Sequence, residues 1–155
     1  MRRQRRGVIT RITMKEAAAL IYLIINSFFD IRTKTIPLLP SILFGFAGIL
    51  LSIFLFKRSI PELLCALIPG ILLTAFSFIT RGGIGLGDGL SVIVVSLYIS
   101  FSSVIPFLCL SVFISSIYAL FLFGIKRNRS AEFPFIPFLA AGLASYLMIS
   151  KIFSV

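Results

Sequence analysis

The sequence predicts an all-α fold, an integral membrane bundle of about six transmembrane helices, and three observations lead there. Hydrophobic residues form 59% of the 155-residue chain and charged residues only 13%, about half the charged share of an ordinary soluble domain. The apolar residues gather in blocks of about 14 to 21, close to the roughly 20 that cross a bilayer as a helix. Nowhere do apolar and polar residues alternate as in a half-buried strand. A backbone in lipid must satisfy its own hydrogen bonds, so the spans are helices.

Six segments follow in order, each bounded by charge, Pro or Gly. The first, residues 17–29, begins after Glu16 and closes at Asp30. The second, residues 38–56, is introduced by Ile36-Pro37, with Pro37 read as a first-turn proline, and is closed by Lys57-Arg58. The third, residues 62–80, lies between Pro61 and Arg81. A glycine run, Gly82-Gly83-Ile84-Gly85-Leu86-Gly87-Asp88-Gly89, leads into the fourth, residues 90–104. The fifth, residues 105–125, is divided from it only by Ser100-Phe101-Ser102-Ser103 and Pro106. The sixth, residues 134–149, opens at Pro134-Phe135-Ile136-Pro137. It carries Ala140, Ala141, Gly142, Ala144 and Ser145, a small-residue surface suited to close helix contact.

Composition also excludes function classes. A net charge of +10 would suggest nucleic acid in a soluble chain. Here most basic residues fall between apolar blocks, where they anchor topology, and no nucleic-acid partner is expected. Cys65 and Cys109 lie inside apolar stretches without Cys-x-x-Cys spacing, and the chain has no His, so neither a metal site nor a disulfide framework is supported. No cofactor is implied. The bilayer itself is the one partner that composition demands.

Asp30 and Asp88 are the only aspartates. A carboxylate costs roughly 2.5 to 3.5 kcal/mol at a bilayer centre, so those that stay at the edges of apolar segments are functional candidates. Asp30 closes the first segment, two crossings follow, and Asp88 opens the fourth; both therefore emerge on one face. Glu132 falls on that face as well, Glu16 and Glu62 on the other. Two carboxyls at one depth can share a proton, because like charges about 3 Å apart do not both ionise cheaply. That is aspartyl-protease chemistry: the ionised member takes a proton from water and the protonated member polarises a carbonyl. Gly85 and Gly87 are expected to form an active-site turn with positive φ that an extended substrate can approach. Asn26, four residues before Asp30 on the same helical face, is placed to hold its carboxyl, or else to make an interhelical polar contact.

Asp30 with Ile36-Pro37, then Gly85-Leu86-Gly87-Asp88, then Pro134-Phe135-Ile136-Pro137-Phe138-Leu139 resemble, in order and spacing, the type IV prepilin peptidases, membrane aspartyl proteases with a Gly-x-Gly-Asp motif. The resemblance covers roughly residues 14 to 150. It implies that Asp30 and Asp88 are the catalytic pair on the cytoplasmic face of the cell membrane, with Ile36 and Pro37 in support. It implies as substrate a pilin-like or pseudopilin-like precursor, cut between a basic leader and a hydrophobic helix. Three positions depart from the family's usual pattern: Leu38 where Asn is usual, Leu90 where Lys is usual, and Ile136 where Gly is common. The Cys-rich N-terminal domain of longer members has no counterpart, so peptidase activity alone is expected, without methyl transfer.

The tail, residues 1–16, is read apart from a polytopic peptidase domain, residues 17–155. Arg2, Arg3, Arg5, Arg6, Arg11 and Lys15 of the tail, with Lys57, Arg58 and Lys151, oppose Arg32, Lys34, Arg81, Lys126, Arg127 and Arg129 on the aspartate side. Positive residues mark the cytoplasmic side, and this count favours the wrong face unless translation starts at Met14, the expected alternative. Two other functions compete with the peptidase: a non-enzymatic carrier or assembly subunit whose carboxylates relay protons or hold helices, and an inactive peptidase relative. A carrier is expected to place an ionisable group mid-span, and both aspartates stand at helix ends.

Overall fold

A computed structural model describes residues 2–33, 37–80, 85–125 and 134–153, with side chains from residue 14 onward, apart from those of residues 123–125 and 153. The described residues form six α-helices and no strand: α1 (Arg2–Thr33), α2 (Leu38–Leu50), α3 (Ile60–Ile79), α4 (Leu86–Ser96), α5 (Phe101–Ile125) and α6 (Ile136–Phe153). A π-helical stretch, Leu51–Leu55, continues α2. Three spans are long and apolar enough to cross a membrane, Leu38–Leu55, Ile60–Ile79 and Phe101–Leu122, and shorter apolar helices, Leu86–Ser96 and Ile136–Ile152, stand beside them.

The surface identifies the solvent. Leu39, Phe46, Phe54, Ile79, Leu120 and Phe121 are each more than 65% exposed, in a continuous apolar coat far beyond the patches that soluble monomers tolerate. The interior holds Asn26, Ser52, Ser77, Ser91, Ser96 and Ser111, each at most 1% exposed. This is a membrane helical bundle, apolar outside and partly polar within.

The segment boundaries differ from the sequence reading in two places. The first helix runs back through the basic tail to Arg2, since Arg, Gln and Lys are good helix formers whatever their solvent. The division between the fourth and fifth segments falls at residues 97–100 and not at 104–105. Ser100 there accepts or donates to Ser103 at 2.8 Å, and the Ser103 N–H returns to the Ser100 carbonyl. Pro106 stands inside α5, one turn past its start, where it leaves the Ser102 carbonyl without its usual helical N–H donor.

α4 is the centre of the bundle. Gly89, Ser91, Val92, Val94, Val95 and Ser96 are all buried, and the helix packs along α3 and also against α2 and α1. Its approach to α3 is close enough to need glycine on both sides. A Cβ on Gly89 would stand 2.7 Å from the Thr74 nitrogen, and one on Gly70 2.7 Å from the Ile93 nitrogen, contacts between backbones that side-chain motion cannot relieve. At its far end the carbonyls of Ser96 and Leu97 accept the Arg58 guanidinium at 3.3 and 3.4 Å, and Leu97 also accepts the Ser52 hydroxyl. Lys57 makes this possible: its left-handed backbone, φ 47°, turns the chain after the π-helical stretch so that Arg58 N–H reaches the Ser52 carbonyl at 3.1 Å.

Gly70→Val is expected to force α3 and α4 apart and to lower stability by about 1–3 kcal/mol, the usual cost of overpacking. A thermal melt in detergent with wild-type midpoint would show that the two helices are not in backbone contact.

Candidate active site

Asp30 occupies the last turn of α1, just past the apolar block that ends at Phe29, and is 8% exposed. Its Oδ2 accepts the backbone N–H of Ile136, the first residue of α6, at 3.3 Å. The first N–H groups of a helix have no intrahelical acceptor and carry the positive end of its dipole, so a carboxylate is at home there. Asp30 thus joins the end of α1 to the start of α6.

Asp88 stands in the first turn of α4, before the apolar stretch that begins at Leu90. Gly85 is the N-cap, with φ −62° and ψ 129°, and Asp88 is three residues on. The Asp88 N–H bonds to the Gly85 carbonyl at 3.0 Å, and the Asp88 carboxyl accepts the Gly85 N–H in return. The carboxyl that returns to the N-cap N–H is one half of a capping box, with Asp in the place usually held by Glu; glycine has no side chain to supply the other half. A Cβ on Gly85 would lie 3.0 Å from Asp88 Oδ2. The first Gly of Gly-x-Gly-Asp therefore makes room for the carboxyl that folds back over it.

The two carboxyls feel each other. Burial first, and the Asp30 charge second, push the Asp88 carboxyl up to about 7, opposed by the Gly85 N–H. Burial raises Asp30 too, and the Ile136 N–H opposes that rise. Asp88, half-buried and raised in part by the charge on Asp30, keeps its proton up to about neutral pH, and the titration belongs to the pair.

Other expectations are corrected. Gly85 has an ordinary negative φ and Gly87 is helical, so neither of these two positions uses left-handed backbone; what the structure requires at Gly85 is space. The Asn26 amide does not reach Asp30: its Nδ2 donates to the Tyr22 carbonyl one turn back at 2.9 Å. Pro37 is the N-cap of α2 and not its first helical residue. Ile36, Gly82, Gly83 and Glu132 lie outside the described residues.

Residues that the sequence reading passed over also belong here. Ile136 counted only as a departure from a Gly, yet it supplies a donor through its backbone, which no side-chain pattern encodes. Tyr22 and Ser91 are both buried, and the Tyr22 hydroxyl pairs with Ser41 at 3.1 Å. Their spacing, Tyr22-Asn26-Asp30 on α1 and Asp88-Ser91 on α4, puts them on the aspartate faces of their helices. Among the described residues no group of three or more His, Cys, Asp or Glu is gathered to hold a metal. Cys65 and Cys109 are exposed on α3 and α5.

No curated protein and no solved structure matches the chain. A family model does, that of the type IV leader peptidase family, over residues 17–120. The match takes in more than half of the chain, with both aspartates and the Gly-x-Gly-Asp turn inside it. This membrane bundle belongs to the type IV leader peptidase family.

Proposed function

We propose that the protein is a membrane-embedded aspartyl endopeptidase in which Asp30 and Asp88 are the catalytic pair. The observation that carries the reading is geometric: two carboxyls from separate helices, Asp30 buried at the end of α1 and Asp88 half-buried in the first turn of α4, stand near enough for the charge on Asp30 to raise Asp88. A structural ion pair has the opposite pattern, a carboxylate beside a cation. In the one-proton state the ionised carboxyl takes a proton from water, whose oxygen attacks the scissile carbonyl. The protonated carboxyl hydrogen-bonds to that carbonyl oxygen and neutralises it in the tetrahedral intermediate. Collapse expels the amine, which leaves with a proton from the pair. The Ile136 N–H favours the charged form on Asp30, so the proton resides mainly toward Asp88 before attack.

The substrates that fit a site at the edge of a bilayer are proteins whose cleavage point lies where a soluble leader meets an apolar helix. The resemblance stated above names pilin-like and pseudopilin-like precursors, with a basic leader on the cytoplasmic side.

Asp30→Asn and Asp88→Asn are each expected to abolish processing of a co-expressed pilin-like precursor, with Glu132→Gln still active, read by precursor shift on a gel and by immunoblot of the variant. Full processing by either well-expressed Asn variant would move the weight to a carrier or assembly subunit.

With pH, the active one-proton state is lost as the shared proton leaves, so the rate should fall as pH rises above about 7. It should fall again at acid pH as the second carboxyl protonates. A rate that stays flat from neutral to strongly alkaline pH contradicts the pair.

For topology, single cysteines at Thr33 and Asn128 in a Cys65→Ser, Cys109→Ser background are expected to resist a membrane-impermeant thiol reagent in intact cells and to react after lysis. Labelling from outside excludes the cytoplasmic site.

A further inference from the structure

One turn below the aspartates, toward the middle of the bundle, two polar atoms stand without partners. Asn26 Oδ1 and Ser91 Oγ are fully buried and make no hydrogen bond among the described residues. The orientation of the Asn26 amide is fixed, because Nδ2 must face the Tyr22 carbonyl to which it donates. Ser91 lies within weak hydrogen-bonding range of the Tyr22 hydroxyl, but that hydroxyl takes Ser41 as its partner at 3.1 Å and leaves Ser91 Oγ without a well-formed bond. Other buried hydroxyls are satisfied, Ser96 by the Val92 carbonyl and Ser111 by the Phe107 carbonyl of their own helices, Ser52 by the Leu97 carbonyl across the bundle. Leaving a buried polar atom unpaired costs about 1–3 kcal/mol, and here there are two.

The pair is built across the same two helices as the aspartates. Asn26 precedes Asp30 by four residues on α1, and Ser91 follows Asp88 by three on α4, so each stands roughly 5–6 Å from the aspartate of its own helix. Two hydrogen bonds through one oxygen, at about 2.8 Å each, cover that distance. A buried water needs two to four polar partners, and Asn26 Oδ1, Ser91 Oγ and a carboxyl oxygen offer three.

We propose that Asn26 and Ser91 bind a water molecule that solvates the aspartate pair from its bilayer side. This rests on the aspartates being the reacting pair. Both are positioning residues: neither touches substrate, and each acts through the water on a carboxyl that would otherwise have hydrocarbon beneath it. The water lets one carboxyl ionise and holds the other in a fixed rotamer.

The test uses the full chain in lipid and reads the carbonyl stretch of the protonated carboxyl in the infrared, identified by its loss in Asp88→Asn. Asn26→Leu, which keeps shape without polarity, and Ser91→Ala are each expected to move the band to higher frequency, as a carbonyl does when it loses a donor. Asn26→Ser, with a hydroxyl and room for water, is expected to restore it. In the cleavage assay the first two variants should lower kcat by about tenfold, the size of one lost hydrogen bond to a reacting group, with KM unchanged. An unmoved band in Ser91→Ala, which removes one atom and so spares the fold, overturns the proposal, as does an Asn26→Ser band that stays with Asn26→Leu. A band that moves in a protein that cleaves no precursor keeps the water and removes the peptidase reading, so the two fail separately.

Discussion

Two like charges brought together at the edge of a bilayer repel, and this bundle is arranged around relieving that repulsion. Each carboxyl is met by the start of a helix: Asp88 by the first turn of its own α4 through Gly85, Asp30 by the first turn of α6 through Ile136. The positive ends of two helix dipoles thus converge on the place where negative charge is concentrated, an effect of roughly 0.3–1 kcal/mol each at exposed sites and up to about 2 when partly buried. The rest of the fold follows from holding those helix starts in place. α1 leans on α6, α4 is wedged along α3 by Gly70 and Gly89, and the far end of α4 is tied to Ser52 and Arg58.

The interior polarity is of a kind that a bilayer permits. Hydroxyls at Ser27, Thr74, Ser96 and Ser111 bond to the carbonyl four residues before them, so they are satisfied without a partner helix. They act as small residues that happen to be polar, and helices pack closely over them. Longer-range polar contacts are fewer and more telling: Tyr98 to the Phe44 carbonyl, Tyr146 to Ser103, and Tyr22 to Ser41. They link α2 to the turn after α4, α5 to α6, and α1 to α2, pinning helix register where apolar packing alone would allow sliding.

Much of this was legible in the sequence, for identifiable reasons. Hydrophobic blocks are a composition signal and gave the bundle; counting crossings put Asp30 and Asp88 on one face without any side-chain geometry. Boundaries were read less well where helix ends are set by tertiary contacts. The end of α4 at Ser96 depends on Arg58 and Ser52, distant in sequence, and nothing local marks it within a run of Val, Ile and Leu. The role of the glycines was misread because a Gly-rich string suggests unusual φ, whereas Gly85 serves a capping carboxyl and Gly89 a helix crossing. Asn26 lies on the face that its spacing indicates, but its amide donates to the Tyr22 carbonyl one turn back and not to the carboxyl one turn ahead. The Ile136 donor was invisible, because every residue but proline has that group.

The shortness of α4 reaches beyond the architecture. Eleven residues rise roughly 16 Å, half of a bilayer's hydrocarbon, and both ends of the helix are fastened to protein. Spans such as α3 and α5 must tilt or stretch the lipid around them when membrane thickness changes. α4 has no such obligation, since it faces almost no lipid and matches no thickness. The acid it carries is therefore referenced to its neighbours and not to the thickness of the membrane.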